Sequence, residues 1–286
     1  MNKKPTAVLL LSCPDKKGLV AGISQFVYSN NGNIVHSDQH TDFQKNIFIM
    51  RMEWELEGFK IPRELLRSEF SKLAGSFDMK WELKFSDIVP KMAIMVSRQA
   101  HCLYDILERK RSGEFNVEIP LIIGNHEDLK PAAESYGIPF KVFPKDHSNK
   151  RQQEKLELEE LENYGVNFVV LARYMQILGA DFIKEFPSRI INIHHSFLPA
   201  FAGSQPYLQA YNRGVKVIGA TSHFVTEELD QGPIIEQEVT RVSHRDTVED
   251  LARKGRDLER IVLANAVRLY LENRILVYDG KTVIFD

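Results

Sequence analysis

Two short polar clusters in the second half of the chain contain the residues best suited to chemistry. Asn192 and His194 stand two positions apart in an apolar stretch, and Asp230 precedes the turn at Gly232 and Pro233. An amide can stabilise a developing oxyanion, an imidazole can transfer protons, and a carboxylate can orient or activate a nucleophile. Together these side chains suit the attack of water or of an amine on a carbonyl carbon.

Other interpretations of the same residues are open at this point. A histidine beside an asparagine on a buried strand can simply be a hydrogen-bonded core residue, and an aspartate before a turn commonly stabilises that turn. The ligands of a metal hydrolase would be His194, His195, His223 and Asp230. Adjacent residues on a strand face opposite ways, however, which disfavours a metal site that uses both His194 and His195. A serine hydrolase would need a G-x-S-x-G elbow, and the sequence has none.

The elements around these clusters predict where they lie in the fold. Ile190–His194 predicts a strand, with Asn192 and His194 on one face near its carboxyl end. Further strands are predicted at Met92–Val96, Phe115–Ile123, Phe140–Phe143 and Asn167–Leu171, with helical segments between them. This alternation predicts a mostly parallel, Rossmann-like sheet covered by helices, which binds ligands at the carboxyl ends of its strands. Later segments predict an antiparallel pair, a long helix and a closing hairpin, at Lys216–Val225, Pro233–Val242, Thr247–Glu272 and Ile275–Phe285.

The start of the chain predicts a separate domain. Strand patterns at Ala7–Cys13, Ile34–Thr41, Asn46–Glu55 and Met79–Phe85 are interrupted by two amphipathic helices. The order β-α-β-β-α-β is that of ferredoxin-like α+β folds. Length alone favours about two domains. We therefore expect an α/β protein with one domain at residues 1–86 and a second at residues 87–286.

Composition excludes several functional classes. The chain has 286 residues, with 37 Lys and Arg against 39 Asp and Glu, so the formal net charge is −2. A near-neutral balance disfavours nucleic acid as a partner, and no apolar run reaches the ~20 residues of a membrane helix or resembles a signal peptide. The two cysteines cannot form a disulfide framework. We expect a cytoplasmic protein, in which the charged run Gln152–Glu162 forms a solvated helix face.

Three motifs in this order resemble those of the folate-dependent formyltransferase family. They are NIHHSFLP at Asn192–Pro199, GATSHFV at Gly219–Val225 and LDQGPII at Leu229–Ile235. The family pattern is Asn-x-His, a strand ending in His-x-Val, and Asp-x-Gly. The sequence around Asn192, and the order of elements along nearly the whole chain, are most similar to the 10-formyltetrahydrofolate deformylase branch of that family. The first domain resembles an ACT domain.

The resemblance implies a role for each matching residue. Asn192, His194 and Asp230 would be catalytic, and His223 would support the site. The residues that would line the pterin pocket, largely through backbone groups, are Met175, Gln176, Ile177 and Leu178. In the first domain, an amino-acid effector such as methionine or glycine would bind near Asp15, Gly18, Asn31 and Asn33, although Gly18 can equally serve the turn alone. ACT sheets commonly pair, so the resemblance also implies a homo-oligomer.

One departure separates a hydrolase from a transferase within the family. Transferases that act on glycinamide ribonucleotide hold its phosphate in a glycine-rich loop after the first strand. The corresponding stretch here, Ser97–Leu103, contains no glycine. We therefore expect hydrolysis of 10-formyltetrahydrofolate to formate and tetrahydrofolate, without a metal or another cofactor, and with the formate supplied to purine biosynthesis. The alternatives are transfer of the formyl group to a small amine such as glycinamide ribonucleotide, and a folate- or amino-acid-sensing regulator without turnover.

Overall fold

The computed structural model describes residues 4–146, 148–199 and 206–286. By their internal contacts the described residues divide into two compact units. The first contains the chain up to Ile88 together with Glu272–Tyr278 and Val283–Asp286, and the second contains Val89–Leu271 and Asp279–Thr282. The boundary at Ile88 lies two residues from the predicted boundary at residue 86. The prediction assigns all of residues 87–286 to the second domain, whereas Glu272–Tyr278 and Val283–Asp286 belong to the first unit.

The first unit has the predicted β-α-β-β-α-β order. Its elements are β1 (Thr6–Pro14), α1 (Leu19–Ser29), β2 (Ile34–Asp42), β3 (Ile47–Glu55), α2 (Arg63–Ser76) and β4 (Lys80–Phe85). The strands form an antiparallel sheet in the order β2-β3-β1-β4. Both helices pack on one face of the sheet, where Leu9, Ile23, Met52 and Phe70 are buried together. The ferredoxin-like prediction is confirmed.

Within the described residues, the second unit contains a seven-stranded sheet. Its strands are β5 (Lys91–Val96), β6 (Glu118–Gly124), β7 (Phe140–Val142), β8 (Phe168–Ala172), β9 (Ile190–His194), β10 (Val217–Phe224) and β11 (Ile234–Arg241). In the order β11-β10-β9-β8-β5-β6-β7, neighbours from β9 to β7 run parallel, whereas β10 is antiparallel to both β9 and β11. The predicted parallel sheet and the predicted antiparallel pair are both confirmed.

Helices cover both faces of this sheet. They are α3 (His101–Arg111), α4 (Lys130–Ser135), α5 (Lys150–Asn163), α6 (Ala180–Glu185), α7 (Pro206–Arg213) and α8 (Val248–Leu271). Leu171 of β8 packs with Leu161 of α5 and Phe182 of α6, while Phe168 faces Tyr270 of α8, with ring centroids 4.5 Å apart. The sequence did not predict α6 and α7, because 6 and 8 residues are too few to show a helical period. No described helix is both long and apolar enough to cross a membrane.

The end of the chain covers the outer face of the first sheet. The last strands, β12 (Ile275–Tyr278) and β13 (Lys281–Ile284), pair with each other. Leu276 and Phe285 pack against Leu10 and Ile49, which alternation directs away from α1 and α2. Both faces of β1 are therefore covered, and each of its residues from Thr6 to Cys13 is buried. The apolar outer face of β1 explains why the chain returns to the first unit, since that face would otherwise lie in water.

Candidate active site

A cavity of about 230 Å³ opens in the second unit where β8 and β9 end. It brings together the residues that the sequence predicts for catalysis and substrate binding, namely Met175, Gln176, Ile177, Leu178, Asn192, His194, His223 and Asp230. The first four follow β8, the next two belong to β9, His223 lies on β10, and Asp230 lies in the loop before β11. The carboxyl ends of parallel strands are where open sheets of this type bind ligands.

The register between β9 and β10 fixes the orientation of the Asn192 amide. Asn192 and His223 are cross-strand partners, and Asn192 Nδ2 lies 3.2 Å from His223 Nε2. The other ring nitrogen, Nδ1, lies 2.8 Å from the carbonyl oxygen of Phe224. Because a carbonyl only accepts, Nδ1 donates to Phe224, while Nε2 faces the Asn192 amide. Asn192 keeps a second N–H for another partner.

Asp230 places a carboxylate between two imidazoles. Its Oδ2 lies 3.4 Å from Nδ1 of His194, and its Oδ1 lies 3.7 Å from Nε2 of His223. These two histidines, His194 first, hold the pKa of the Asp230 carboxyl well below its usual range. The group is therefore ionised at neutral pH, so it can accept a proton.

His194 has one nitrogen still to be satisfied. Its Nδ1 faces Asp230, while its Nε2 is buried and has no hydrogen-bond partner among the described residues. A buried polar atom without a partner costs roughly 1–3 kcal/mol. Since His194 lines the cavity, a bound ligand with a hydrogen-bonding group would remove that cost.

Gly232 is required where the loop before β11 meets β10. A Cβ at this position would lie 1.7 Å from the carbonyl oxygen of Phe224, which no side chain can tolerate. That carbonyl is the acceptor for His223 Nδ1. The glycine of the Asp-x-Gly motif therefore lets the loop approach β10 closely enough to bring Asp230 to His223.

The loop after β8 forms another wall of the cavity. Arg173 has a positive φ of 63°, and the backbone N–H of Met175 donates to Ser97 Oγ over 2.9 Å. Ser97 in turn donates to Asn125 over 2.7 Å. Met175 and Ile177 are 59% and 57% exposed, so the loop presents apolar side chains to a ligand while its backbone is fixed from behind.

Comparison with known proteins agrees with this geometry. A family model described as formyl transferase matches residues 90–267, and a model described as ACT domain matches residues 7–75. The formyltetrahydrofolate deformylase of Synechocystis sp. is 58% identical over 280 residues, covering 98% of each chain. The chain belongs to the formyltetrahydrofolate deformylase family.

Two further deformylases support this membership over the full length. The formyltetrahydrofolate deformylase of Bacillus subtilis is 46% identical and covers 97% of this chain and 93% of its own. The crystal structure of a formyltetrahydrofolate deformylase from Pseudomonas syringae pv. tomato superposes with a TM-score of 0.97 at 44% identity, covering 100% of this chain and 96% of that chain. The similarity to deformylases thus includes both units.

His195 of this deformylase-family chain lies in the cavity, although alternation predicts that it faces away from His194. The strand β9 ends at His194, so the alternation stops there, and the two rings pack with centroids 4.8 Å apart. Burial, reinforced by the charge of Arg173, lowers the pKa of His195 to about 4. His195 is therefore neutral at physiological pH.

A buried ionic cluster lies on another side of Arg173. Glu259 of α8 accepts from His101 and Tyr207, each over 2.7 Å, and lies 3.4 Å from Arg173 Nε. Among the described residues, His101, Cys102 and Glu259 form a group that could hold a metal ion. Burial raises the pKa of the Cys102 thiol well above its usual value, however, and the carboxylate is already bonded. The cluster is therefore an ion-paired network, and no local pattern predicts it because its members come from distant segments.

The residues predicted to bind an effector lie at opposite ends of α1. Gly18, with a φ of 93°, begins the helix close to Asp15. Asn31 and Asn33 follow its other end, where their amides donate to Gly58 and Glu55. An 11-residue helix is roughly 16 Å long. The first unit therefore does not bring the four residues together around one small ligand.

Proposed function

We propose that this protein hydrolyses 10-formyltetrahydrofolate to formate and tetrahydrofolate. The observation that carries the proposal is the meeting of Asn192, His194 and Asp230 at one cavity, opposite the apolar loop at Met175–Leu178. An amide, an imidazole with an unsatisfied nitrogen and an ionised carboxylate are the groups that attack on a formyl carbon requires. The deformylase names of full-length relatives support the same reaction.

The substrate binds with its pterin ring against the loop Met175–Leu178 and its formyl group between Asn192 and His194. Asp230 orients a water molecule and accepts its proton as the water oxygen bonds to the formyl carbon. The second N–H of Asn192 and Nε2–H of the His194 imidazolium stabilise the resulting oxyanion. The bond between carbon and N10 then breaks.

The protons balance through Asp230, His194 and solvent. The His194 imidazolium gives its Nε2 proton to N10 of the leaving tetrahydrofolate and keeps its Nδ1 proton, which faces Asp230 at 3.4 Å. Solvent then carries the proton of the water from Asp230 to His194 Nε2. The hydroxyl proton of the formic acid goes to solvent as well, so formate leaves as the anion. The reaction changes no oxidation state, so the proposed mechanism uses no redox cofactor. Asn192 and His194 stabilise the charge of the oxyanion.

Formate release from 10-formyltetrahydrofolate, with and without glycinamide ribonucleotide, tests the proposal directly. We expect formate in the absence of any acceptor, at a rate that glycinamide ribonucleotide does not increase. A formylated product that forms only with the acceptor would identify a transferase. Folate binding without either product would identify a regulator without turnover.

Several finer predictions go beyond the reaction itself. Supply of formate to purine biosynthesis, a cytoplasmic location, a homo-oligomer and an amino-acid effector at the first unit remain predictions. Adding methionine or glycine to the formate assay tests the effector, since a site near Gly18 or near Asn31 would change the rate. Light scattering tests the oligomer.

A further inference from the structure

The charged face of α5 is not solvated as the sequence predicts. The side chains of Glu154 and Glu157 are 9% and 0% exposed, and that of Lys145, which approaches them, is 0% exposed. A buried carboxylate is strongly destabilising unless it is paired and hydrogen-bonded. The prediction of a solvated helix face is therefore wrong for these two residues, and their partners show what the burial achieves.

Lys145 neutralises part of this buried charge. Its Nζ lies 2.7 Å from Glu157 Oε2 and 3.8 Å from Glu154 Oε1. The remaining hydrogen bonds go to the loop after β8. Tyr174 donates its hydroxyl to Glu157 Oε1 over 3.1 Å, and the backbone N–H of Gly179 donates to Glu154 Oε1 over 3.2 Å.

These two bonds hold the loop at both of its ends. Tyr174 and Gly179 directly flank residues 175–178, which have neither helical nor strand structure. Burial raises the pKa of the Tyr174 hydroxyl, so it stays protonated and available as a donor. Met175 and Ile177 between the anchors are more than half exposed and lack packing that would fix them. The Met175 N–H is bonded to Ser97 and Leu178 is buried, and the two carboxylates add the anchors at the ends of the segment.

We propose that Glu154, Glu157 and Lys145 are positioning residues that order the 174–179 loop before the folate ring binds. The inference rests on the proposed function for the identity of the ligand. A loop that is already ordered loses less conformational entropy on binding. The contacts within the cluster and between the cluster and the loop are 2.7–3.8 Å long. The cluster supplies no group to the reacting atoms, so it sets KM and leaves kcat unchanged.

Two substitutions remove the anchors without adding or removing a charge. Tyr174→Phe deletes the hydroxyl that donates to Glu157. Gly179→Ala keeps an allowed backbone conformation, with φ −77° and ψ 159°, but its Cβ would lie 2.6 Å from Glu154 Oε2 and must displace that carboxylate. Glu159→Gln, on the same helix and 53% exposed, is the matched control.

The measurements are KM and kcat for formate release from 10-formyltetrahydrofolate, and hydrogen–deuterium exchange of the amides at 175–178. We expect KM to rise about five- to tenfold in both anchor variants, the effect of losing one hydrogen bond of ordinary net strength. We also expect kcat to change less than twofold and the loop amides to exchange faster. The control should match the unsubstituted chain.

Unchanged KM and unchanged loop exchange in both variants would overturn the inference, even if both variants melted at a lower temperature, because the cluster would then be purely structural. A fall in kcat at constant KM would overturn it as well. If the unsubstituted chain releases no formate, the proposed function fails by itself. Loop exchange then decides the inference separately, with faster exchange supporting the anchors and unchanged exchange overturning them.

Discussion

The position of the Asp230 carboxylate depends on the residue's backbone conformation and on the side chains around it. Its φ of 58° lies in the left-handed region, which aspartate tolerates better than most residues. This conformation turns the carboxylate from the loop toward His194 and His223, at 3.4 and 3.7 Å. The close approach at Gly232 holds the loop in that place. The reactivity that we propose for Asp230 is thus a property of the turn as much as of the side chain.

Asp230→Asn tests the proton-accepting role at this residue. The amide has the same size but cannot take the proton of water, so we expect kcat for formate release to fall by about 10²–10⁴. Binding of tetrahydrofolate should change by less than about threefold, measured by fluorescence titration. Asp181→Asn, at a residue 74% exposed on α6, is the control and should keep full activity. Near-normal formate release by Asp230→Asn would refute the assignment.

The same carboxylate should make stability depend on pH. Its pKa in the folded chain lies below the value of about 3.9 expected for an unfolded aspartate. Its contribution is therefore fully present above about pH 4 and is lost as the pH falls toward the folded-state pKa. We expect the difference in free energy of unfolding between the unsubstituted chain and Asp230→Asn to shrink between pH 6 and pH 3 in urea titrations. A difference that grows on acidification would contradict the ion-pair interpretation.

At the scale of elements, the chain's last strands complete the core of the first unit. Phe285 is 1% exposed and packs with Leu10 and Ile49 on the outer face of the first sheet. Arg51, also buried on β3, donates through Nε to the carbonyl of Asn273 over 3.0 Å and pairs with Glu53 over 2.7 Å. Apolar packing and a buried guanidinium thus both attach the C-terminal segment to this sheet.

Phe285→Ala measures the apolar part of this attachment. Removing a fully buried phenylalanine leaves a cavity and should lower the free energy of unfolding by roughly 3–5 kcal/mol, as followed by urea denaturation. Phe43→Ala is the control, since that ring is 87% exposed and its loss should change stability by less than about 0.5 kcal/mol. Equal effects of the two substitutions would show that the C-terminal segment does not support the sheet.

At the scale of the whole molecule, the two units are built from discontinuous stretches of chain. The first unit needs residues on both sides of the second, because Glu272–Tyr278 and Val283–Asp286 belong to it. Its continuous part, up to Ile88, has the elements of a ferredoxin-like fold but lacks the cover of its outer face. The continuous stretch that the sequence pattern identifies as the first domain is thus smaller than the first unit that packing defines.

A fragment of residues 1–88 should therefore be incompletely stabilised. We expect it to bind a hydrophobic dye through the exposed face at Leu10 and Ile49 and to unfold at a lower urea concentration than the same fragment mixed with a peptide of residues 272–286. The peptide carrying Phe285→Ala is the control and should stabilise the fragment less. No effect of either peptide would show that the continuous part is complete by itself.

The amino-acid sequence by itself determined the elements and the main chemical groups of the site. Helical and strand periodicities are local, so they predicted the four strands of the first sheet and the seven of the second to within a few residues. Asn192, His194 and Asp230 stand in short motifs whose spacing is likewise visible along the chain. The elements that it missed, α6 and α7, are too short to show a period.

Only the tertiary structure decided which polar residues are buried and what they contact. Glu154 and Glu157 look like surface residues in a charged run, and their burial depends on Lys145, Tyr174 and Gly179. The orientation of His195 depends on where β9 ends. The physical reason is that periodicity indicates only which face of a single helix or strand is apolar. The energy of burying a charge or an apolar face depends on partners that are distant in sequence.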